Sequence, residues 1–221
     1  RIVARIEELA AQTNEARNLR LQAVEEAGIL LDSAKTAIFA SDDLQEYRVC
    51  LGDADVVLNR ESRNPSQSHP DSIFTYVDIS SVGTGPSVII AGTKMAAREA
   101  TSRARRVIRK NDLIISTVRP NLRAFAKIGE GLDNQICSTG FAVLMCGPSL
   151  MPDFLLHQFC SPFFVNQCMS RTTGGHYPAI NDSNLRQIVV IVPPLPEQRR
   201  IVVELDVLQA QVDALKRLQA E

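Results

Sequence analysis

Hydrophobic residues recur along the first 39 positions in steps of four and three: Ile2, Ile6, Leu9, Thr13 and Ala16, then Ala23, Ala27, Leu30 and Ala34. That spacing is a heptad seam on one long helix, and no proline interrupts it. Thr13, Ala16 and Arg20 thin the seam, and Gly28 costs about 1 kcal/mol relative to alanine. Such a helix needs a partner. A cleaner seam returns at the far end of the chain: Ile201, Leu205, Leu208, Val212 and Leu215, set among charged and amide residues. Pro196 stands where a first helical turn tolerates proline, and Glu197 puts negative charge at the helix N-terminus. The pattern predicts that Ile2, Ile6 and Leu9 pair with the second seam in an antiparallel coiled coil.

Between the two helices the period shortens. Phe74–Ile79 alternates, and Leu113–Val118, Phe141–Met145 and Ile188–Val192 are short apolar runs. Turn-rich stretches separate them at Asn64–Ser68, Val82–Pro86 and Gly129–Gly131. One helix is predicted from Pro152 to about Met169, with Phe154, Leu155, Phe159, Phe163 and Phe164 on its apolar face. The fold class is α+β: a globular domain on an irregular, mostly antiparallel sheet, flanked by two long helices. The predicted boundaries are a connecting helix over 1–39, a domain over 40–195 and a second helix over 196–221.

The flanking helices also resemble each other. Arg1-Ile2-Val3 returns as Arg200-Ile201-Val202, and at that offset the 22 aligned positions hold seven identities. A period of about 200 residues is too long for a solenoid. It reads as two copies of one connecting helix bracketing an insert, and the chain is expected to be a piece of a longer repeating protein.

The 221 residues can hold one domain of ~150 residues plus two extended helices. Five cysteines, irregularly spaced and without a C-x-x-C pair, predict reduced thiols used as small core residues. No apolar run reaches the ~18 residues that would span a bilayer, so a soluble cytoplasmic protein with no membrane partner is expected.

Charge changes the picture locally. The net charge is -1, yet Lys94, Arg98, Arg103, Arg105, Arg106, Arg109, Lys110, Arg119, Arg123 and Lys127 are opposed within their segment only by Glu99 and Asp112, ten against two. A segment this basic suits phosphate contacts, and Lys94, Arg103, Arg105, Arg106, Arg119 and Arg123 are the candidates; a solvated basic face is the plainer reading. A second cluster, Arg171, Thr172, Thr173, His176, Tyr177 and Asn181 around Gly174 and Gly175, combines donors, an aromatic ring and backbone able to approach a groove. It also reads as a tight connection from helix to strand.

Catalytic chemistry is thin. His157-x2-Cys160 and Cys168-x7-His176 are too loosely spaced for a zinc site, and core packing accounts for them. Gly83-Thr84-Gly85 lacks the remaining glycine of a dinucleotide loop and the lysine of a P-loop. No catalytic residue, metal site or cofactor site is predicted in the chain.

Several stretches resemble the specificity subunits of type I restriction-modification systems. Val192-Pro193-Pro194-Leu195-Pro196-Glu197-Gln198-Arg199-Arg200-Ile201-Val202 is similar to that family's lead into its conserved helix. Leu51-Gly52-Asp53, Tyr76–Ile79, Asn111–Pro120 and Ser138–Leu144 resemble its recognition-domain segments. The resemblance implies a non-catalytic subunit that binds one half of a split double-stranded DNA target. It implies helices that hold a second recognition domain at a set distance and dock methyltransferase (modification) subunits, and through them ATP-dependent restriction subunits. S-adenosylmethionine, ATP and magnesium would belong to those partners. Two other readings remain open on the residues alone: a catalytic or fused methyltransferase–nuclease component, and a coiled-coil assembly protein.

Overall fold

A computed structural model describes residues 2–83, 92–174 and 177–220. The chain opens with α1 (Ile2–Phe39) and a 3-10 turn capped by Ser41, whose Oγ accepts from the Asp43 amide at 3.2 Å. Then follow β1 (Arg48–Cys50), β2 (Val56–Leu58), α2 (Pro65–Ser68), β3 (Ile73–Val77), β4 (Thr93–Ala96), β5 (Ala104–Ile108), β6 (Leu113–Ser116), β7 (Phe125–Lys127), β8 (Gln135–Ser138) and β9 (Phe141–Cys146). The last elements are α3 (Pro152–Phe159), α4 (Pro162–Ser170), α5 (Asp182–Arg186), β10 (Val189–Ile191) and α6 (Leu195–Ala220). The predicted turn at Val82–Pro86 falls largely outside the described residues.

The α+β class stands, but the single irregular sheet resolves into three. β2-β9-β6-β7 and β4-β3-β8-β5 are four-stranded, and β1-β10 is a two-stranded ribbon. Pairing is antiparallel except between β3 and β8. β6 shows why its sequence is apolar without alternation. Leu113 and Ile115 face α3 and α4 with Phe125, Phe154 and Phe159, while Ile114 faces Val77, Ile108 and Cys137 of the second four-stranded sheet. A strand covered on both faces has no polar side to show.

The helix predicted over 152–169 is two helices. Pro162 cannot donate an amide and sits at the first turn of α4, whose Phe164 amide is capped by Ser161 Oγ at 3.3 Å. The break lets both helices press on the same sheet, with the Phe159 and Phe164 rings 4.4 Å apart. It also sets two amides against β10. Gln158 bonds both backbone groups of Ile191, at 2.7 and 3.1 Å, and Gln167 does the same for Val189 at 3.0 Å each. Side chains thus take the place of a neighbouring strand.

The two long helices meet over only part of the predicted seam. Ala27, Leu30, Leu31 and Ala34 share a cleft with Leu208, Gln211, Val212 and Leu215. Ile2, Ile6 and Leu9 are 79%, 61% and 48% exposed, so they do not form the pairing predicted for them. The packing of α6 is the reason: it commits Ile201, Val202 and Leu205 to the domain core, so the first half of its seam is not offered to α1. α1 is anchored to the domain by Asp32, which receives both guanidinium arms of Arg123 at 2.8 and 2.9 Å. One turn on, Lys35 is 1% exposed. Burial pushes its pKa below 10.5, and Asp32 and Asp213 only partly counter this.

All five cysteines are free thiols. Burial pushes Cys137, Cys146 and Cys168 up to about 12 and Cys160 up to about 11, so they remain protonated packing residues. No helix among the described residues is long and apolar enough to cross a membrane.

Candidate nucleic-acid interface

The basic segment does not form one surface. β5 shifts register between Ala104 and Arg106, leaving Arg105 as the extra residue of a bulge, and the two arginines take different partners. Arg106, with only 18% of its side chain exposed, donates to Asn59 Oδ1 and to the Phe141 carbonyl and lies 3.8 Å from Asp182. Asn59, held at φ 52°, accepts from the Val143 amide at 2.9 Å and donates to Asp182 at 2.7 Å. Arg106 and Arg123, expected at phosphates, are therefore engaged inside the chain. Arg105 reaches back to the carbonyls of Thr101 and Ala104 at 3.2 and 2.8 Å.

Other cations of the segment are paired at the surface. Glu61 takes Arg109 at 2.9 Å and Arg63 at 2.8 Å, bonds that hold its carboxyl below the usual range. Lys110 meets Glu130 at 3.2 Å, and Lys127 pairs with Asp153.

The outward set is smaller. Lys94 is exposed on β4, the opposite edge of its sheet from β5, opposite Thr75 of β3. Arg103 is exposed just before β5, and Arg119 is exposed at the turn after β6. Arg119 has a left-handed backbone, φ 50°, and its guanidinium lies over the Tyr177 ring, 4.6 Å from the centroid. Its amide donates to the Pro178 carbonyl at 2.8 Å. Tyr177 is 69% exposed.

Within the predicted loop the residues divide again. Thr172 Oγ1 donates to the Met169 carbonyl at 2.9 Å and Arg171 to the Gln167 carbonyl at 3.3 Å, so both finish α4. Asn181 caps α5, its Oδ1 accepting from the Asn184 amide at 2.8 Å. Thr173 is exposed and exchanges backbone bonds with Ala179 at 2.9 and 3.0 Å. Gly174 turns the chain at φ 94°, where a Cβ would stand 3.0 Å from the Tyr177 carbonyl oxygen. Gly175 and His176 lie outside the described residues.

Backbone bonds draw these pieces into one rim. The Arg103 carbonyl accepts from the Thr139 amide at 2.9 Å. The Gly140 carbonyl accepts from the Thr117 amide at 2.8 Å and its hydroxyl at 2.9 Å. The Thr117 carbonyl accepts from Ile180 at 2.9 Å. Arg103, Thr139, Arg119 and Tyr177 thus project from four adjoining segments contributed by distant parts of the sequence. Thr117, Thr139 and Gly140 were not among the sequence candidates. Their signal was membership of the stretches Asn111–Pro120 and Ser138–Leu144 that resemble recognition-domain segments, which named no individual residue.

No group of three or more histidine, cysteine or acidic side chains able to hold a metal occurs among the described residues. His157 instead bonds Asp206 through Nε2 at 2.8 Å, joining α3 to α6. Burial lowers its pKa, with Asp206 pulling the other way.

A family of non-catalytic DNA-specificity modules fits this combination of rim and helices. Residues 98–221 match the type I restriction modification DNA specificity domain, and the chain belongs to that family. It is similar to the crystal structure of the HsdS subunit from Thermoanaerobacter tengcongensis, with 38% identity and a TM-score of 0.68 over 78% of this chain and 44% of that one. A structure described as the basis of complex assembly and conformational transition of the type I R-M system matches at 38% identity and TM-score 0.71, over 78% and 44% of the two chains. The S subunit from M. genitalium, at 15% identity and TM-score 0.52 over 95% and 55%, shares the fold. The chain spans less than half the length of the first two. No curated protein matched the sequence.

Proposed function

We propose that this chain is a target-recognition module of a type I specificity subunit, binding one half of a bipartite double-stranded DNA target. The observation that carries this reading is the rim, where cations, hydroxyls and an aromatic ring from four segments meet at one edge of a rigid domain. Such a surface offers both phosphate contacts and groups able to reach base edges. Arg103 and Arg105 supply the phosphate side of the rim, with Lys94 a further phosphate contact from the far edge of the sheet, and Arg119, Thr173 and Tyr177 supply the loop side. Arg171, Thr172 and Asn181 support the loop through the helix ends they close.

α1 and α6 serve as a spacer. α1 runs into the domain and α6 leaves it, so their shared cleft pairs them in opposite directions. A helix of ~57 Å is long enough to separate half-sites by more than one DNA turn. The helices dock the modification subunits, and these recruit the restriction subunits. The subunit itself performs no chemistry; S-adenosylmethionine, ATP and magnesium act in the partners. The whole assembly works in the cytoplasm.

Binding-site selection from random DNA, run with the specificity subunit assembled with its modification subunits, tests the reading. One short motif should be enriched, bound without cleavage, with an affinity that falls as salt rises. A flat selection profile would end the proposal.

A further inference from the structure

Unlike Lys94 and Arg103, Arg119 is held at both its backbone and its charged group. Its backbone is left-handed at φ 50°, a conformation side-chain-bearing residues rarely adopt, and its amide is fixed on the Pro178 carbonyl at 2.8 Å. At the far end the guanidinium lies over the Tyr177 ring, 4.6 Å from its centroid. Backbone constraint fixes where the side chain starts, and the ring restricts where its charged group rests.

That restriction matters for one kind of contact more than the other. A phosphate is satisfied by a nearby positive charge on a flexible stem, and Arg103 and Lys94 meet that need without any ring against them. A base edge requires a plane in a set orientation. Guanine presents O6 and N7 side by side, matching two N–H groups of one guanidinium, and this is the commonest specific arginine contact in a major groove. Packing one face of the guanidinium on Tyr177 leaves its N–H edges, which lie in the plane, to make such a pair.

We propose that Arg119 reads a guanine by a bidentate bond, with Tyr177 as the positioning residue that orients its guanidinium. The inference rests on the target-recognition reading above.

The test compares wild type, Arg119→Lys, Arg119→Ala and Tyr177→Ala, each assembled with its modification subunits. Selected sites and the salt dependence of affinity are measured for all four. Wild type should enrich guanine at one position over the other bases by about 5- to 150-fold. Arg119→Lys keeps the charge but not the planar fork, so it should lose that preference while keeping the wild-type salt slope. Tyr177→Ala should weaken the preference at the same position only, again with an unchanged slope. A uniform loss of affinity in Arg119→Ala, with every base preference intact and the salt slope reduced by about 1, would make Arg119 a phosphate contact. That result overturns the inference and leaves the recognition reading standing. A wild-type selection with no motif overturns both.

Discussion

Arg106 and Arg103 lie three residues apart in one basic segment and do opposite work. Arg103 is exposed on the rim, whereas Arg106 turns inward to Asn59, Phe141 and Asp182. Through those partners Arg106 joins the end of β2, the start of β9 and α5, the elements beside the rim segments. Lys35 is a third case, a cation buried without a carboxylate in salt-bridge reach among the described residues. Charge counted along a sequence says how many cations exist. Where the fold turns them decides whether a cation faces outward, braces the scaffold or burdens it.

The largest effect that would break this contrast belongs to Arg106. Arg106→Met takes a donor from Asn59 Oδ1 and from the Phe141 carbonyl, while the half-exposed Asp182 keeps its bond from Asn59. Leaving a buried acceptor without its donor costs about 1–3 kcal/mol. Denaturant unfolding should show that loss, and an unchanged midpoint would mean that the network does not brace the rim.

Lys35→Met should move stability the other way. The folded state disfavours the Lys35 charge, since burial lowers its pKa from 10.5. The Lys35 contribution to wild-type stability is therefore most favourable above 10.5 and declines as pH falls toward the lowered folded value. Methionine removes the penalty, so its advantage is full below that value and vanishes as pH rises to 10.5. A gain of about 1 kcal/mol corresponds to ~2–4 °C in melting temperature for a chain of this size. Melting curves at neutral and alkaline pH check both the sign and the convergence.

The smallest stability effect is expected at the rim. Arg103→Ala should alter folding by less than about 0.5 kcal/mol. Its signature is a salt slope for DNA reduced by about 1, with the selected motif unchanged. Equal slopes for Arg103→Ala and wild type would take this residue out of the phosphate contacts.

How legible the molecule was in its sequence follows the same divide. Long-period and short-period patterns located both terminal helices and the strands at 73–77, 113–116, 141–146 and 189–191. Periodicity reports which residues seek burial, and those elements are defined by burial. It could not say that Ile201 and Leu205 would be spent on the domain core, because a seam looks the same whichever partner it meets. It missed the break at Pro162, since phenylalanines on both sides continue the apolar face. The candidate site was half legible. Composition marked Arg103, Arg119 and Tyr177, but the hydrogen bonds that gather them run through Thr117, Thr139 and Gly140. Asn59 was invisible for a similar reason: its role comes from contacts with residues far along the chain.

The ribbon of β1 and β10 has a consequence for how this protein changes over generations. Cys50 pairs with Val189 and Arg48 with Ile191, so the first and last strands of the domain are hydrogen-bonded neighbours. The stretch between them, the rim included, begins and ends at that pairing. A stretch whose two ends already touch can be exchanged whole by recombination, leaving the helices and their spacing where they were. Binding preference can then be inherited as a cassette, replaced in one event rather than rebuilt base contact by base contact.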